Sequence, residues 1–460
     1  MSNLQIALAK RKVKLLFFFA VIVLFSSVSL ITINAAFIFT DNIYTGVIIG
    51  NIPVGGLSVD EARNKIIATF QDQISKSTIN VSYENETWSI APKDIELNIN
   101  ADDLVMQAHN VGRTGNIINI LKERYLAVNG GYTVPLTQNY NHDKLYALLT
   151  NISKYIDRNP QNASLVYNNK TIHVTPEIWG QQVDLPTSLT DITNKLSSGI
   201  PVNSKLIVHQ KPPSIVSQDF ADIDNLIAEY TTQFNPNDEK RYQNIAIAAK
   251  NINNTLVHPG EIFSFNQSVG PRLPEYGYKE APVLVDGKLL LDWGGGVCQV
   301  STTLYNTALL ADMDIEERTS HFKPPSYVPL GQDAAVADNL LDFKFKNSSP
   351  CNIYITSEVF NNRITVSIFG KNFPNPAEIQ IESTSKTLGY NTLIKQDNSL
   401  SLGKEIVESV GQKGFAVTTY RVKMMNGQEI SRENLSSDEF KPEDRIIRIG
   451  TKSQSQQSTK

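Results

Sequence analysis

A chain of 460 residues exceeds what one hydrophobic core organises, so several domains are expected. Hydrophobic residues at 41%, charged residues at 19% and a formal net charge of −4 describe ordinary globular material without a broad basic surface, which argues against nucleic acid as a partner. Cys298 and Cys351 are the only cysteines, the six histidines are scattered, and there is no CxxC pair or HExxH helix, so neither a disulfide framework nor a metal site is expected and no cofactor is implied.

Residues 1–14 form a basic segment with Lys10, Arg11, Lys12 and Lys14, directly followed by Leu15 to Phe39, 25 residues without a charge. That length spans a bilayer, and the positive flank predicts a single-pass membrane anchor over 15–39 with a cytoplasmic amino terminus and everything after Asp41 outside. A cleaved signal peptide ending near Ala35 and Ala36 is the competing reading.

Residues 40–210 begin with a strand, a glycine turn and a helix capped by Ser58, with Glu61 three residues on. Within them VSYENETWSIAP (81–92) is repeated as LVYNNKTIHVTP (165–176), with Tyr83 matching Tyr167 and Pro92 matching Pro176. Each copy reads as a hairpin, with turns at Glu84-Asn85 and Asn168-Asn169, so a duplicated small α/β module is expected. Residues 211–240, carrying Pro212 and Pro213, read as a linker with one short helix.

Between 241 and 371 the sequence becomes more particular. Residues 244–253 have the apolar spacing of a helix, and PGEIFSFNQSVG (259–270) supplies a turn and a short aromatic strand. WGGGVCQVSTTLYN (293–306) then places Val300, Leu304, Ala308 and Leu309 at helical spacing, so Cys298 is expected at a helix start behind Gly294, Gly295 and Gly296. Three glycines let backbone come close to a substrate or to neighbouring chain. Free N–H groups and the helix dipole favour a thiolate there and suit an oxyanion, which makes Cys298 a candidate nucleophile. Of the two histidines in this stretch, His258 and His321, the latter is the preferred base, because it lies in a loop broken by Pro324 and Pro325. Asp333 or Asp342 is expected to orient its ring, and Arg318 to fork onto a substrate carboxylate. Gln299, Ser301 and Tyr327 join Arg318 and the three glycines as expected substrate contacts. A buried core thiol, or a bridge to Cys351, are the bland readings of Cys298.

Residues 376–450 close with a hairpin turning at Asn426-Gly427 and the strand-like RIIRIG (445–450), an all-β module, and 451–460 read as a disordered tail. The fold class expected is thus multidomain α+β: an anchor helix, two repeated α/β modules, an α+β domain and a terminal β module.

The GGGVCQVSTTLYN block, ERTSH (317–321), YVPLGQDA (327–334) and DFKFKN (342–347), in this order, resemble the VanW family, with departures at Phe322 and Ala335 where a small polar residue and Thr are usual. IPVGGLSVDEA (52–62) with the duplication resembles peptidoglycan-binding modules, and the last β module resembles a G5 domain. These resemblances imply a protein facing the cell wall, with peptidoglycan stem peptides and glycan as partners. The VanW likeness implies cysteine-dependent, L,D-transpeptidase-like acyl transfer between stem peptides, with Cys298, His321 and Asp333 as the catalytic set. The alternative is a non-catalytic peptidoglycan-binding, assembly or adhesion protein.

Overall fold

The computed structural model describes residues 11–27, 40–285 and 288–452. It divides into two compact units, the first formed by 1–160 and 179–212, the second by 161–178 and 213–460.

The expected membrane anchor is not supported. Residues 11–27 are helical, with Arg11, Lys12 and Lys14 at the start of this described stretch. Residues 28–39 lie outside the described residues, and among those described no helix is long and apolar enough to cross a membrane. The single-pass topology, the cytoplasmic amino terminus and the membrane as partner were all inferred from that run and fall with it.

In the first unit, Val47–Ile49 pairs antiparallel with Ile52–Pro53 and parallel with Tyr132–Val134. The helix Val59–Ser75 starts with a full capping box: the Glu61 N–H donates to the Ser58 hydroxyl, and the Ser58 N–H donates to the Glu61 carboxylate. Its Ala62, Ile66 and Phe70 face the interior. The hairpin Ile79–Tyr83 with Glu86–Ile90 gains a third, parallel strand from Val202–Lys205.

The second copy of the hairpin, Ser164–Asn168 with Thr171–Thr175, belongs instead to the second unit. Its turn falls on Asn169 and Lys170, both at positive φ, one residue later than expected. The register slides by two, so Leu165 faces Val174 where Val81 faces Trp88 in the first copy. A two-residue slide keeps each side chain on its own face. Leu165 and Ala163 are buried with Phe220, Tyr354 and Phe369, and Tyr167 meets Phe369 edge-on at 5.2 Å between ring centroids.

The segment expected as a linker contributes to this unit as well, because Asn225–Gln233 is the edge strand of an antiparallel sheet ordered Asn225–Gln233, Arg363–Gly370, Ile353–Phe360, Thr255–Val257. Its Pro-rich start hid a strand whose own alternation is weak, with only Ala228 and Thr232 fully buried. Helices Glu239–Ile252 and Val297–Leu310 pack on the sheet and share its core, with Ile245, Ala248, Val300, Leu304 and Ala308 shielded from solvent. The Val297–Leu310 helix is buried on nearly every side.

The terminal β module has two three-stranded sheets, Glu378–Leu388, Gly414–Met425, Gln428–Phe440 and Thr392–Ser401, Glu443–Lys452, Glu405–Gln412. The hairpin turns at Asn426 and Gly427, both at positive φ as a type I′ turn requires. The last strand reaches Lys452, beyond the start expected for the tail, whose remainder lies outside the described residues.

Candidate functional site

Cys298 is the second residue of the Val297–Leu310 helix, entered through Gly296 in a left-handed conformation. The glycine run serves neighbouring chain. A Cβ on Gly295 would stand 2.7 Å from the Ala281 carbonyl oxygen, one on Gly296 would meet Arg241 and Ile245, and Gly294 lies beneath the stem of Arg272. The three glycines thus seat the turn against protein, correcting their expected role as substrate contacts. The first-turn N–H groups of Val297 and Gln299 donate back to Gly294 and Gly296, so these two are not aimed at the thiol.

Polar residues along the helix grip the loop that faces Cys298. The Ser301 hydroxyl donates to the Ala334 carbonyl at 2.7 Å, the Ala334 N–H donates to the Thr302 hydroxyl at 3.0 Å, and the Asn306 amide donates to the Gln332 carbonyl at 2.8 Å. On another side the Gln299 amide nitrogen donates to Thr232 and the Gln233 carbonyl, while its oxygen accepts from Arg241 at 2.9 Å. Gln299 and Ser301 are fully buried clamps, which corrects their expected contact with substrate.

The gripped loop brings Asp333 to His321. An isolated antiparallel bridge joins Thr319 to Ala335, and two residues further along each limb that register sets His321 opposite Asp333. The Asp333 carboxylate accepts from both the His321 backbone N–H and ring Nδ1, each at 2.6 Å. The ring stands near enough to Cys298 for its charge to hold the thiol down, and the sulfur in turn raises the ring. The thiol donates to the Val336 carbonyl at 3.3 Å, and in the ionised form the sulfur accepts from the Val336 N–H at 3.5 Å. Tyr327 lies near the same group, where burial above all and the charge of Cys298 push its hydroxyl up.

These contacts set the proton distribution. Burial pushes the Cys298 thiol up, but the hydrogen bond and positive charge of His321, the Val336 N–H and the charge of Arg272 bring it below its ordinary value of 9.0. Burial lowers His321, yet the Asp333 carboxylate and the Cys298 thiolate raise it to about 9. Asp333, also opposed by burial, is held below the usual carboxylate range by His321 and Arg318. These shifts run toward a thiolate–imidazolium pair braced by a carboxylate.

Arg318 is not available to a substrate carboxylate. Its Nε donates to the Asp333 carbonyl at 2.6 Å, Nη2 reaches the Gly331 carbonyl and Asp333 Oδ1, and Nη1 meets both oxygens of Asp438 at 2.7 Å. Asp342 is also elsewhere, accepting from Ser264 and the Asn266 N–H. His258 hydrogen-bonds Asn352 away from the loop, and both cysteines are free. Sequence reasoning missed Arg272, Val336 and Asp438. Val336 acts through its backbone and Asp438 is 120 residues from Arg318, so neither carries a local signal. Arg272 stands in a Gly-Pro-Arg turn that gave reason only to expect a loop.

The fold and site define a multidomain α+β protein in which a cysteine at a buried helix start is joined to a His–Asp pair. Family models match in three places: "VanW like protein" over 240–369, "Putative peptidoglycan binding domain" over 88–203 and "G5 domain" over 380–452. The chain is a VanW family protein carrying these domains. It is 40% identical over 149 residues to the uncharacterized protein YoaR of Bacillus subtilis, covering 32% of this chain and 49% of that one. It is 30% identical over 141 residues to the vancomycin B-type resistance protein VanW of Enterococcus faecalis, covering 30% and 51%. The chain thus spans about half the length of the curated relatives it matches. Among solved structures, the IgA1 protease G5 domain aligns over 16% of this chain and 90% of its own at 28% identity and a TM-score of 0.15. HP0197-G5 aligns over 16% and 97% at 24% identity and a TM-score of 0.13.

Proposed function

We propose that this chain is a cell-wall-associated protein that binds peptidoglycan and that its cysteine centre transfers acyl groups between stem peptides. The wall-associated part is supported by the peptidoglycan-binding and G5 matches and by a relative named for vancomycin resistance. The acyl-transfer part is supported by one observation, the His321 ring held by the Asp333 carboxylate at 2.6 Å on the loop whose Val336 backbone meets the Cys298 sulfur.

In that reading the Cys298 thiolate attacks a stem-peptide carbonyl carbon, forming a C–S bond while the carbonyl electron pair moves to oxygen. Collapse breaks the C–N bond, and His321 gives its proton to the departing amine, releasing a terminal amino acid and leaving a thioester. An amine of a second stem then attacks, passes its proton to His321, and expels the thiolate. Asp333 keeps the imidazole in the tautomer and orientation both transfers need.

The matched models favour a second reading, a non-catalytic peptidoglycan-binding, cell-wall assembly or adhesion protein. Intact-mass spectrometry of the purified protein with a disaccharide-tetrapeptide, beside the Cys298→Ala form, separates the two. A thioester adduct on Cys298 with dimeric product, both absent from the variant, is the outcome of acyl transfer. Binding by both proteins with neither adduct nor product replaces it with the binding reading.

A further inference from the structure

The terminal β module is docked onto the cysteine-bearing domain through specific, buried contacts. Arg421, 3% exposed, donates to the Met313 carbonyl at 2.7 Å just after the cysteine helix, and Lys423 pairs with Asp312 at 2.6 Å. Thr419 donates to the Gly331 carbonyl, and Gly331 has no room for a Cβ against the Thr419 hydroxyl. Ile381 and Leu435 of the module pack against the core that holds the cysteine helix.

One contact differs in kind. Asp438, on the Gln428–Phe440 strand, takes Arg318 Nη1 on both carboxylate oxygens at 2.7 Å, and the pair is almost closed to solvent. Arg318 in turn holds Asp333 through its carbonyl and Oδ1, Asp333 holds His321, and His321 bears on Cys298 by its charge while the Val336 backbone of the same loop meets the sulfur. From module to sulfur the groups alternate in sign: carboxylate, guanidinium, carboxylate, imidazolium, thiolate. We propose that Asp438 is a positioning residue of the cysteine centre, supplied by the terminal β module, and that it sets the reactivity of Cys298 through Arg318, Asp333 and His321. For its catalytic meaning this rests on the acyl-transfer reading, whereas the reactivity of the thiol is measurable without it.

The physical cause is competition for Asp333. With both its oxygens on one guanidinium nitrogen, Asp438 balances the Arg318 charge and draws the fork away from the Asp333 carboxylate, whose nearer Oδ2 is left to His321. Without Asp438 the unbalanced guanidinium turns onto Asp333, the imidazolium loses part of its partner, and the proton returns more readily to sulfur.

The test is the pH dependence of Cys298 alkylation by iodoacetamide in the full chain, read at the Cys298 peptide by mass spectrometry. Asp438→Asn is expected to slow alkylation at pH 7 by about three- to tenfold and to move the rise of the curve to higher pH, as a smaller thiolate fraction requires. Lys423→Ala, which loosens the same docking surface outside the chain of charges, is expected to leave the curve in place. An Asp438→Asn curve that superposes on wild type, or an equal shift in Lys423→Ala, overturns the proposal. If Asp438→Asn does not fold, Asp438→Glu is measured instead: its longer arm cannot keep both contacts, so an upward shift supports the proposal and coincidence with wild type overturns it. Muropeptide turnover is followed in parallel, because wild type that alkylates as expected yet forms no adduct defeats acyl transfer while leaving the positioning role standing.

Discussion

Replacing His321 with Asn removes the charge that holds Cys298 ionised while keeping an amide able to donate to Asp333. At its ordinary value of 9.0 a thiol is about 1% ionised at pH 7, so a depressed thiol released to that value loses at most about 100-fold in thiolate. A less stabilised thiolate is the better nucleophile, with a Brønsted coefficient of about 0.4–0.5, which returns roughly tenfold of that loss. Burial, the largest influence on Cys298, is then opposed only by the Val336 N–H and the charge of Arg272 and pushes the thiol up. His321→Asn is therefore expected to slow iodoacetamide alkylation at pH 7 by up to about tenfold, and to move the rise of the curve to higher pH. Rates measured from pH 5 to 10 on the Cys298 peptide decide it. Coincident curves for the two proteins refute the ion pair.

The same pair fixes how stability responds to pH. His321, raised to about 9, stabilises the folded state fully below 6.5 and loses that contribution as pH climbs to 9, whereas the depressed Cys298 stabilises above 9.0 and loses its contribution as pH falls through its folded value. Between the folded value of Cys298 and 9.0 the two slopes oppose, so Tm falls less with rising pH in the wild type than in Cys298→Ala, which keeps only the His321–Asp333 limb and is expected to lose Tm as pH rises from 6.5; thermal melts of both proteins check this. Gly295→Ala drives a methyl to within 2.7–2.9 Å of Ala281 atoms, mostly backbone, and is expected to cost about 1–3 kcal/mol in urea unfolding. An unchanged midpoint there means the turn is not seated as described.

What was readable in advance follows from how far each signal travels along the chain. The start of the cysteine helix was legible because glycines end one element and apolar spacing begins the next within a few residues, and the Ser58–Glu61 cap was legible for the same reason. The meeting of His321 with Asp333 depends on a single bridge between Thr319 and Ala335, and the polar run Ser301, Thr302, Asn306 resembles a substrate-facing stripe until the buried loop it grips is seen. Arg318 illustrates the same limit: the residue type suits a substrate carboxylate, but a partner from a strand 120 residues away had already taken it. The uncharged run after Lys14 misled differently, since its length alone was read as a span, and the described helix stops at residue 27.

The path of the chain between its two units restricts how it can be cut. Because 161–178 joins the second unit while 179–212 returns to the first, no single cleavage point separates them. A fragment beginning at 213 keeps the sheet but discards the hairpin whose Leu165 and Tyr167 pack with Tyr354 and Phe369, uncovering part of that aromatic cluster. Such a fragment invites aggregation for reasons unrelated to its chemistry. A transplantable cysteine-bearing cassette has to begin at 161, carrying the returning segment along as an insert.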